Sequence, residues 1–271
     1  MKILITGGNG NIAKIIKNNL SSDFDIINPS HTELDLLDFD KLKEFLNDNQ
    51  FDVLIHTAIS GGRRTKQETG DITHNNLLMF ENIIFFAEKF KMILNFDSAA
   101  IYDRTTDILN RKEEDMKTIP NDFYGFSKYI IYKRSLAYSN FYNFRIFNIF
   151  HANEEPDRFI KSCFLAKKNN TILTIYEDKY FDFVYEDDLI KVIKFYLNTP
   201  AIIEKTINIC YKEKYKLSDI AQKIIGNNNI NIIKPVSHNN YSGNNLQLEM
   251  LNLNLIGLDQ ALILYENKCV L

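Results

Sequence analysis

The chain has 271 residues, of which 45% are hydrophobic and 25% charged, with a formal net charge of −3; this suffices for one large α/β domain or a main domain with a small lobe. The slight acidity excludes bulk attraction to nucleic acid or an anionic membrane, and no apolar run approaches the roughly 18 residues of a membrane span. The three cysteines, Cys163, Cys210 and Cys269, are scattered, so neither a metal site nor a disulfide framework is expected, and a reduced, cytoplasmic compartment is.

Lys2–Thr6 is a short Ile- and Leu-rich run that suits a buried strand. Gly7, Gly8 and Gly10 follow as a turn, and from Ile12 the apolar residues Ile12, Ile15, Ile16 and Leu20 fall at helical spacing. Strand, glycine turn and helix together aim backbone amides and a helix N-terminus, here Asn11 and Ile12, at an anion. In Gly7-x-x-Gly10-x-x-Ala13, Gly7 permits the turn, Gly10 lets a pyrophosphate approach, and Ala13 lets the helix pack on the strand. A βα turn without a ligand satisfies the same pattern. Further strands are predicted at Phe24–Ile27, Val53–His56, Met92–Asp97 and Tyr142–Phe147, and helices at Asn11–Leu20, Phe39–Asn49, Thr73–Phe90 and Phe123–Phe141. This alternation implies an α/β fold, a Rossmann-type doubly wound parallel sheet.

Beyond Phe150 the pattern loosens. Apolar runs at Thr171–Tyr176, Phe181–Tyr185, Thr206–Cys210 and Asn231–Ile233 alternate with helices at Phe159–Lys168, Asp187–Leu197 and Leu217–Ile225. Ser237–Asn245 reads as a polar surface loop, and a helix near Asp259–Tyr265 closes the chain. The expected organisation is a dinucleotide-binding domain over 1–150 and a smaller substrate lobe over 151–271, with segments of the lobe returning to the main sheet.

The sharpest chemical signal is NDFYGFSKYIIYKR, where Tyr124 and Lys128 are one helical turn apart on one face. A phenol has a pKa near 10; a neighbouring ammonium stabilises the phenolate and fits the tyrosine for acid–base work. The pair alone is common on helices, but upstream the strand in MILNFDSAAIY ends at Asp97-Ser98. Carboxyl ends of parallel strands face the ligand crevice, which places Ser98 to donate to a substrate oxygen.

In this order the motifs resemble the extended short-chain dehydrogenase/reductases that act on nucleotide sugars. TGGNGNIA resembles the family's TGxxGxxG/A turn, HTAIS its cofactor-side segment with Thr57 and Ala58, and NNLLMFENII its central helix with Asn76 and Asn82. DSAAIY resembles the catalytic-serine strand end, YGFSK the YxxxK motif, RIFNIF the RxxNxYG strand with Asn148 on the substrate side, and FDFVYEDDL the RDFxHVDDL segment. ELDLLDFDKLKEFL and YSGNNLQLEML look closest to the nucleotide-sugar 4-ketoreductase branch, which includes dTDP-4-dehydrorhamnose reductase and GDP-L-fucose synthase. The resemblance implies hydride delivery from a nicotinamide to a hexose ketone. Tyr124 would protonate the alkoxide, Lys128 would lower the tyrosine pKa and hold the cofactor ribose, and Ser98 would polarise the carbonyl. It also implies that Asp35 and Leu36 flank the adenine, that Ala99, Ala100, Asn148 and Arg158 line the substrate, and that the enzyme is a homodimer.

Departures from the family refine this. The epimerising members carry a Cys and a His where this chain has Ala100 and Arg158, so reduction without that epimerisation is expected. The family Arg before Asp-Phe, a nucleotide-phosphate contact, is Phe181; Arg158, Lys161 and Arg145 are the basic residues that could substitute, or be ordinary surface groups. After the second strand stand Asn28, Pro29, Ser30 and His31, with no acid to repel a 2′-phosphate and no Arg to bind it. The missing repulsion favours NADP, with NAD allowed. GGRRTKQETGD reads as an exposed loop that could gate the active site, bring Arg63 and Arg64 to a phosphate or be merely solvated, and the aromatics of NNLLMFENIIFFAEKF exceed what one core needs, which fits a dimer face. Two alternatives use the same residues. A 4-epimerase with tightly held NAD would usually carry an acid after the second strand. A dinucleotide-binding protein without turnover would not need Ser98, Tyr124 and Lys128 together.

Overall fold

Ile3, Leu4 and Ile5 are closed to solvent, and the strand they form is the hub of the main sheet. The computed structural model describes residues 1–62, 67–199, 204–226 and 229–269. Strand β1 (Lys2–Thr6) leads into helix α1 (Asn11–Leu20), followed by β2 (Asp25–Ile27), α2 (Phe39–Asp48), β3 (Val53–His56), α3 (Gly70–Ile84), β4 (Met92–Ser98) and α4 (Phe123–Ser135). Two more strands, Phe141–Ile146 and Thr206–Ile209, complete a six-stranded parallel sheet. Across it the order is Thr206–Ile209, Phe141–Ile146, β4, β3, β1, β2. Leu4 pairs in parallel register with Ile27 on one side and Leu54 on the other. The chain therefore reverses its direction of building between β1 and β3, and in a doubly wound sheet a ligand crevice opens at the carboxyl ends of such a strand pair.

Helix α2 starts where Asp38 accepts a hydrogen bond from Lys41 N at 3.0 Å, and it turns Leu42 and Leu46, four residues apart, into the core. Helix α3 stops at Ile84 rather than running to Phe90. Its bulky C-terminal run Ile83-Ile84-Phe85-Phe86 is a weak helix former, and Phe86 and Phe90 instead join the core with Phe80. Only Phe85 in that segment's aromatic set stays exposed, at 71%, so the surplus of exposed rings expected from the sequence is absorbed by the core. Helix α4 ends at Ser135, short of the expected Phe141. Asn140 donates to the carbonyls of Ala87 and Phe90, and Phe141 opens the next strand.

The chain divides into two compact units, one of Met1–Asp103, Met116–Arg145 and Ile203–Thr206, the other of Arg104–Asp115, Ile146–Ile202 and Ile207–Leu271. The sequence reading divides the chain near residue 150 with segments of the lobe returning to the main sheet; the two units draw on several separate segments each. Arg104–Asp115 goes to the second unit because its strand Ile108–Arg111 pairs with Tyr241–Gly243. That pairing also corrects the reading of Ser237–Asn245 as a surface loop. Ser242 is fully buried and its Oγ accepts from Asn110 N at 2.9 Å, while Asn240 Nδ2 donates to Asp107 Oδ1 at 2.8 Å. These polar side chains are inside because each has a partner there. Within the second unit, helix Phe159–Asn169 follows Arg158, and the rings of Phe150, Phe164 and Tyr265 pack together. Among the described residues no helix is long and apolar enough to cross a membrane.

Candidate active site

The glycine turn lies at the switch point. Gly7 has φ +75°, and a Cβ there would stand 2.9 Å from Ala58 Cα. Only glycine lets β1 turn this closely past the end of β3. Gly10 N donates to Gly7 O at 2.8 Å and Gly8 N to Pro29 O at 3.0 Å, which ties the turn to the segment after β2. Gly10 caps α1 without a side-chain acceptor, and the helix has no acid in its first turn. The N–H groups at Asn11 and Ile12 thus begin a helix whose positive end is not neutralised by the chain itself. Ala13 is fully buried, in the small-residue packing position its motif predicts.

Beside the turn is a cavity of about 310 Å³, with Gly7, Gly10, Thr57 and Ala58 on one side and His31, Leu34, Leu36 and Met79 among its other walls. Leu34 and Met79 escaped the sequence reading, which named His31 only as part of the segment after β2; Met79 carries a signal, since it lies three residues beyond Asn76 on α3. Asn28 Nδ2 reaches Gly8 O at 3.5 Å, and its Oδ1 is buried with no hydrogen-bond partner among the described residues. Ser30 differs from expectation. Its N–H and its hydroxyl both donate to Glu33 Oε2 at 2.7 Å, closing the turn into Leu34, and an acid three residues further on thereby reaches the end of β2. Asp35 Oδ1 accepts from Leu37 N at 3.0 Å, and Leu36 O accepts from Asn82 Nδ2 at 2.8 Å. Thr57 Oγ1 donates to Thr6 O at 2.7 Å, and His56 Nδ1 meets Thr6 Oγ1 at 2.9 Å, locking the ends of β1 and β3 together. Burial first, and the Lys128 charge second, push the His56 pKa down to about 3.

Helix α4 begins where Asp122 accepts from Gly125 N at 2.7 Å, so Tyr124 falls in its first turn. Tyr124 N donates to Glu68 Oε2 at 3.1 Å. Its ring is crossed by the loop after β3: a Cβ on Gly62, at φ +88°, would sit 3.0 Å from Tyr124 Cζ. Gly125 packs against the turn after β4, where a Cβ would meet Ala100 O at 2.8 Å. The helix bearing Tyr124 and the turn capped by Ser98 are thereby packed together. Ser98 Oγ accepts from Ala100 N at 3.2 Å, leaving the hydroxyl proton to be donated. Ala99 and Ala100 are 0% and 1% exposed. Lys128 Nζ donates to Phe96 O at 2.6 Å and lies 6.0 Å from the centre of the Tyr124 ring. Burial pushes its pKa down to about 8, against the opposing charge of Asp97.

In the second unit, Arg158 is exposed and donates to Asn148 Oδ1 at 2.7 Å, and Lys161 donates to Ala152 O. His151 is held neutral, with a pKa pushed to about 4 by burial and then by Arg158 and Lys161. Phe181 stacks among the rings of Phe183 and Tyr241 at 5.1 and 5.2 Å. Arg145, one candidate for the missing phosphate contact, is excluded from that role: it is fully buried and ion-paired to Asp97. Arg63 and Arg64 lie outside the described residues.

Fold and turn define a Rossmann-type α/β protein with its glycine turn at the switch point of the sheet. The chain belongs to the NAD dependent epimerase/dehydratase family, whose model matches residues 3–210. It is 30% identical over 112 residues to GDP-L-colitose synthase of Yersinia pseudotuberculosis, a match that spans 40% of this chain and 36% of that enzyme's length. A dTDP-4-dehydrorhamnose reductase from Clostridium acetobutylicum superposes with a TM-score of 0.83 at 19% identity, over 98% of this chain and 99% of that one. GDP-mannoheptose C4 reductase from Campylobacter jejuni, solved with NADP bound, gives 0.82 at 16% identity, over 98% and 97%. At these identities the likeness to the solved structures is one of fold.

Proposed function

We propose that this chain reduces the 4-keto group of a nucleotide-linked 4-keto-6-deoxyhexose with NADPH, NADH being the alternative donor. One observation carries the reading: a single unit holds the glycine turn at the switch point, the Ser98 strand end and the Tyr124–Lys128 helix, with Lys128 anchored on that same strand. The residues suit a dinucleotide. The uncapped start of α1 and the Gly7–Gly10 turn offer backbone donors for phosphates, and Leu34 and Leu36 give the adjoining cavity apolar walls suited to adenine. The unpartnered Asn28 Oδ1 supplies a buried acceptor. Asp35, Thr57, Ala58 and Asn76 complete the set, with Ser30 once Glu33 releases it.

When bound, the dinucleotide supplies the hydride. The Tyr124 hydroxyl gives its proton to the substrate oxygen as that oxygen becomes an alkoxide. Lys128 stabilises the phenolate left behind. Ser98 donates to the same oxygen and favours its developing charge. The resemblance assigns Asn148 and Arg158 to the substrate. Ala100 cannot move a proton, so no epimerisation accompanies reduction. The preference for NADPH draws on the relative solved with NADP; the Glu33 carboxylate at Ser30 is the feature that favours NADH. A homodimer belongs to the same reading, and gel filtration tests it.

The deciding experiment offers the purified protein a panel of nucleotide 4-keto-6-deoxysugars with NADPH and with NADH and follows loss of the reduced nicotinamide's absorbance. Oxidation with at least one sugar supports the reading, and the faster donor settles the cofactor. No oxidation with any of them removes it.

A further inference from the structure

The end of β4 is gripped by buried charges that this chemistry does not use. Asp97 Oδ2 accepts from Arg145 Nε at 2.8 Å, with both side chains closed to solvent. Arg145 Nη1 donates to Tyr102 OH at 2.8 Å, and the guanidinium lies between the Tyr102 and Tyr132 rings, 4.9 and 4.7 Å from their centres. Burial works against the Arg145 charge, but Tyr102 and Asp97 more than offset it and its pKa is raised. Asp97 Oδ1 is buried and has no hydrogen-bond partner among the described residues. An ion pair of this kind gives little net stability, since well-packed apolar residues serve as well, and an unmatched carboxylate oxygen adds a cost. Stability alone does not account for the arrangement.

The charge of the Asp97 carboxylate, which acts on the buried Lys128 ammonium, does. Lys128 Nζ ends on the carbonyl of Phe96, the residue before Asp97. Among the described residues, the charged and titratable groups around that ammonium are His56 from β3, which is neutral, Tyr124 from its own helix, Asp97 from β4, and Arg145 behind Asp97. Of these, Asp97 alone carries negative charge. A buried ammonium without a counter-charge sheds its proton, and an uncharged Lys128 cannot stabilise a phenolate.

We propose that Asp97, oriented by Arg145 and Tyr102, is a positioning residue whose carboxylate keeps the Lys128 ammonium protonated in a site closed to water. Its catalytic consequence rests on the role given to Lys128 above; its test does not.

The test titrates Lys128 itself by NMR in the full chain carrying ¹³C-labelled lysine, the signal being assigned by its loss in Lys128→Arg. In Asp97→Asn the Lys128 midpoint is expected to fall by about one pH unit or more, a tenfold weaker hold on the proton. An unchanged midpoint overturns the proposal. Where the single variant fails to fold, because Arg145 is left without its partner, the pair Asp97→Asn with Arg145→Met removes both charges and restores the melting temperature. The midpoint must stay below wild type in that pair, and a wild-type midpoint there overturns the proposal equally. If reductase activity is found, the alkaline limb of its pH profile moves down with the midpoint in Asp97→Asn. If none is found, the titration still decides, so the two readings fail separately.

Discussion

Asn76 Nδ2 donates to Ser127 Oγ at 3.0 Å, and through that bond the loop after β3 is fixed to the helix that carries Tyr124 and Lys128. The same side chain accepts from Ser60 N at 2.8 Å and donates to Ser60 O at 3.0 Å, while Ser127 Oγ donates on to Tyr124 O at 2.7 Å. Asn76→Ala strands these buried groups, at a cost of about 2–4 kcal/mol, and lowers the melting temperature by about 5–10 °C. Scanning calorimetry measures it, and a shift within error would show that the bridge holds nothing.

Tyr124→Phe keeps the ring against Gly62 and removes only the hydroxyl. Turnover is expected to fall by about 10²–10⁴, while dinucleotide affinity, read by nicotinamide fluorescence, stays within a few-fold. Unchanged turnover would take the proton from some other group and retire Tyr124 from the mechanism.

Gly7→Ala meets two obstacles, a positive φ and the Ala58 backbone 2.9 Å from the new Cβ. The conformational penalty alone is about 1–2 kcal/mol, and relief of the clash moves the turn. Dinucleotide affinity should drop by about tenfold or more in a direct binding titration. Full retention of binding would place the phosphates elsewhere.

His56 has a folded pKa of about 3 against an ordinary 6.5. The unfolded chain therefore binds a proton that the folded chain refuses, so this contribution to stability is complete above pH 6.5 and is lost as pH falls towards 3. His151, at about 4, acts in the same direction. Glu154 acts oppositely: burial raises its pKa to about 7 from 4.5, so its contribution is complete below 4.5 and lost as pH rises through 7. Glu154→Gln should therefore raise the melting temperature, relative to wild type, more at pH 8 than at pH 5. An equal change at the two values would mean that Glu154 is not buried as described.

Much of the first unit was legible because its signals are local. β1, α1 and β3 run over Lys2–Thr6, Asn11–Leu20 and Val53–His56, as apolar periodicity and the glycine punctuation predict. Tyr124 and Lys128 share a helix, so their spacing already places them on one face. Other features had no local mark. Gly62 crosses the Tyr124 ring from an exposed loop whose glycines carry no sign of which side chain they meet. Glu33 reaches back over one turn to take the donors of Ser30. The run around Tyr241 reads as surface until Ile108–Arg111 arrives to pair with it.

By itself the sequence determined the alternation of strand and helix, the glycine turn and the order of the chemical residues, because each depends on neighbours within a few positions. The tertiary structure alone decided which charges went inside. Asp97 and Arg145 are 48 positions apart; in the sequence Asp97 belongs to a strand-end motif and Arg145 is a candidate phosphate contact, and nothing there pairs them. Their pairing exists only once the sheet has brought those strands together and excluded water from between them, and burial of a charge is a property of that environment rather than of any short run of residues.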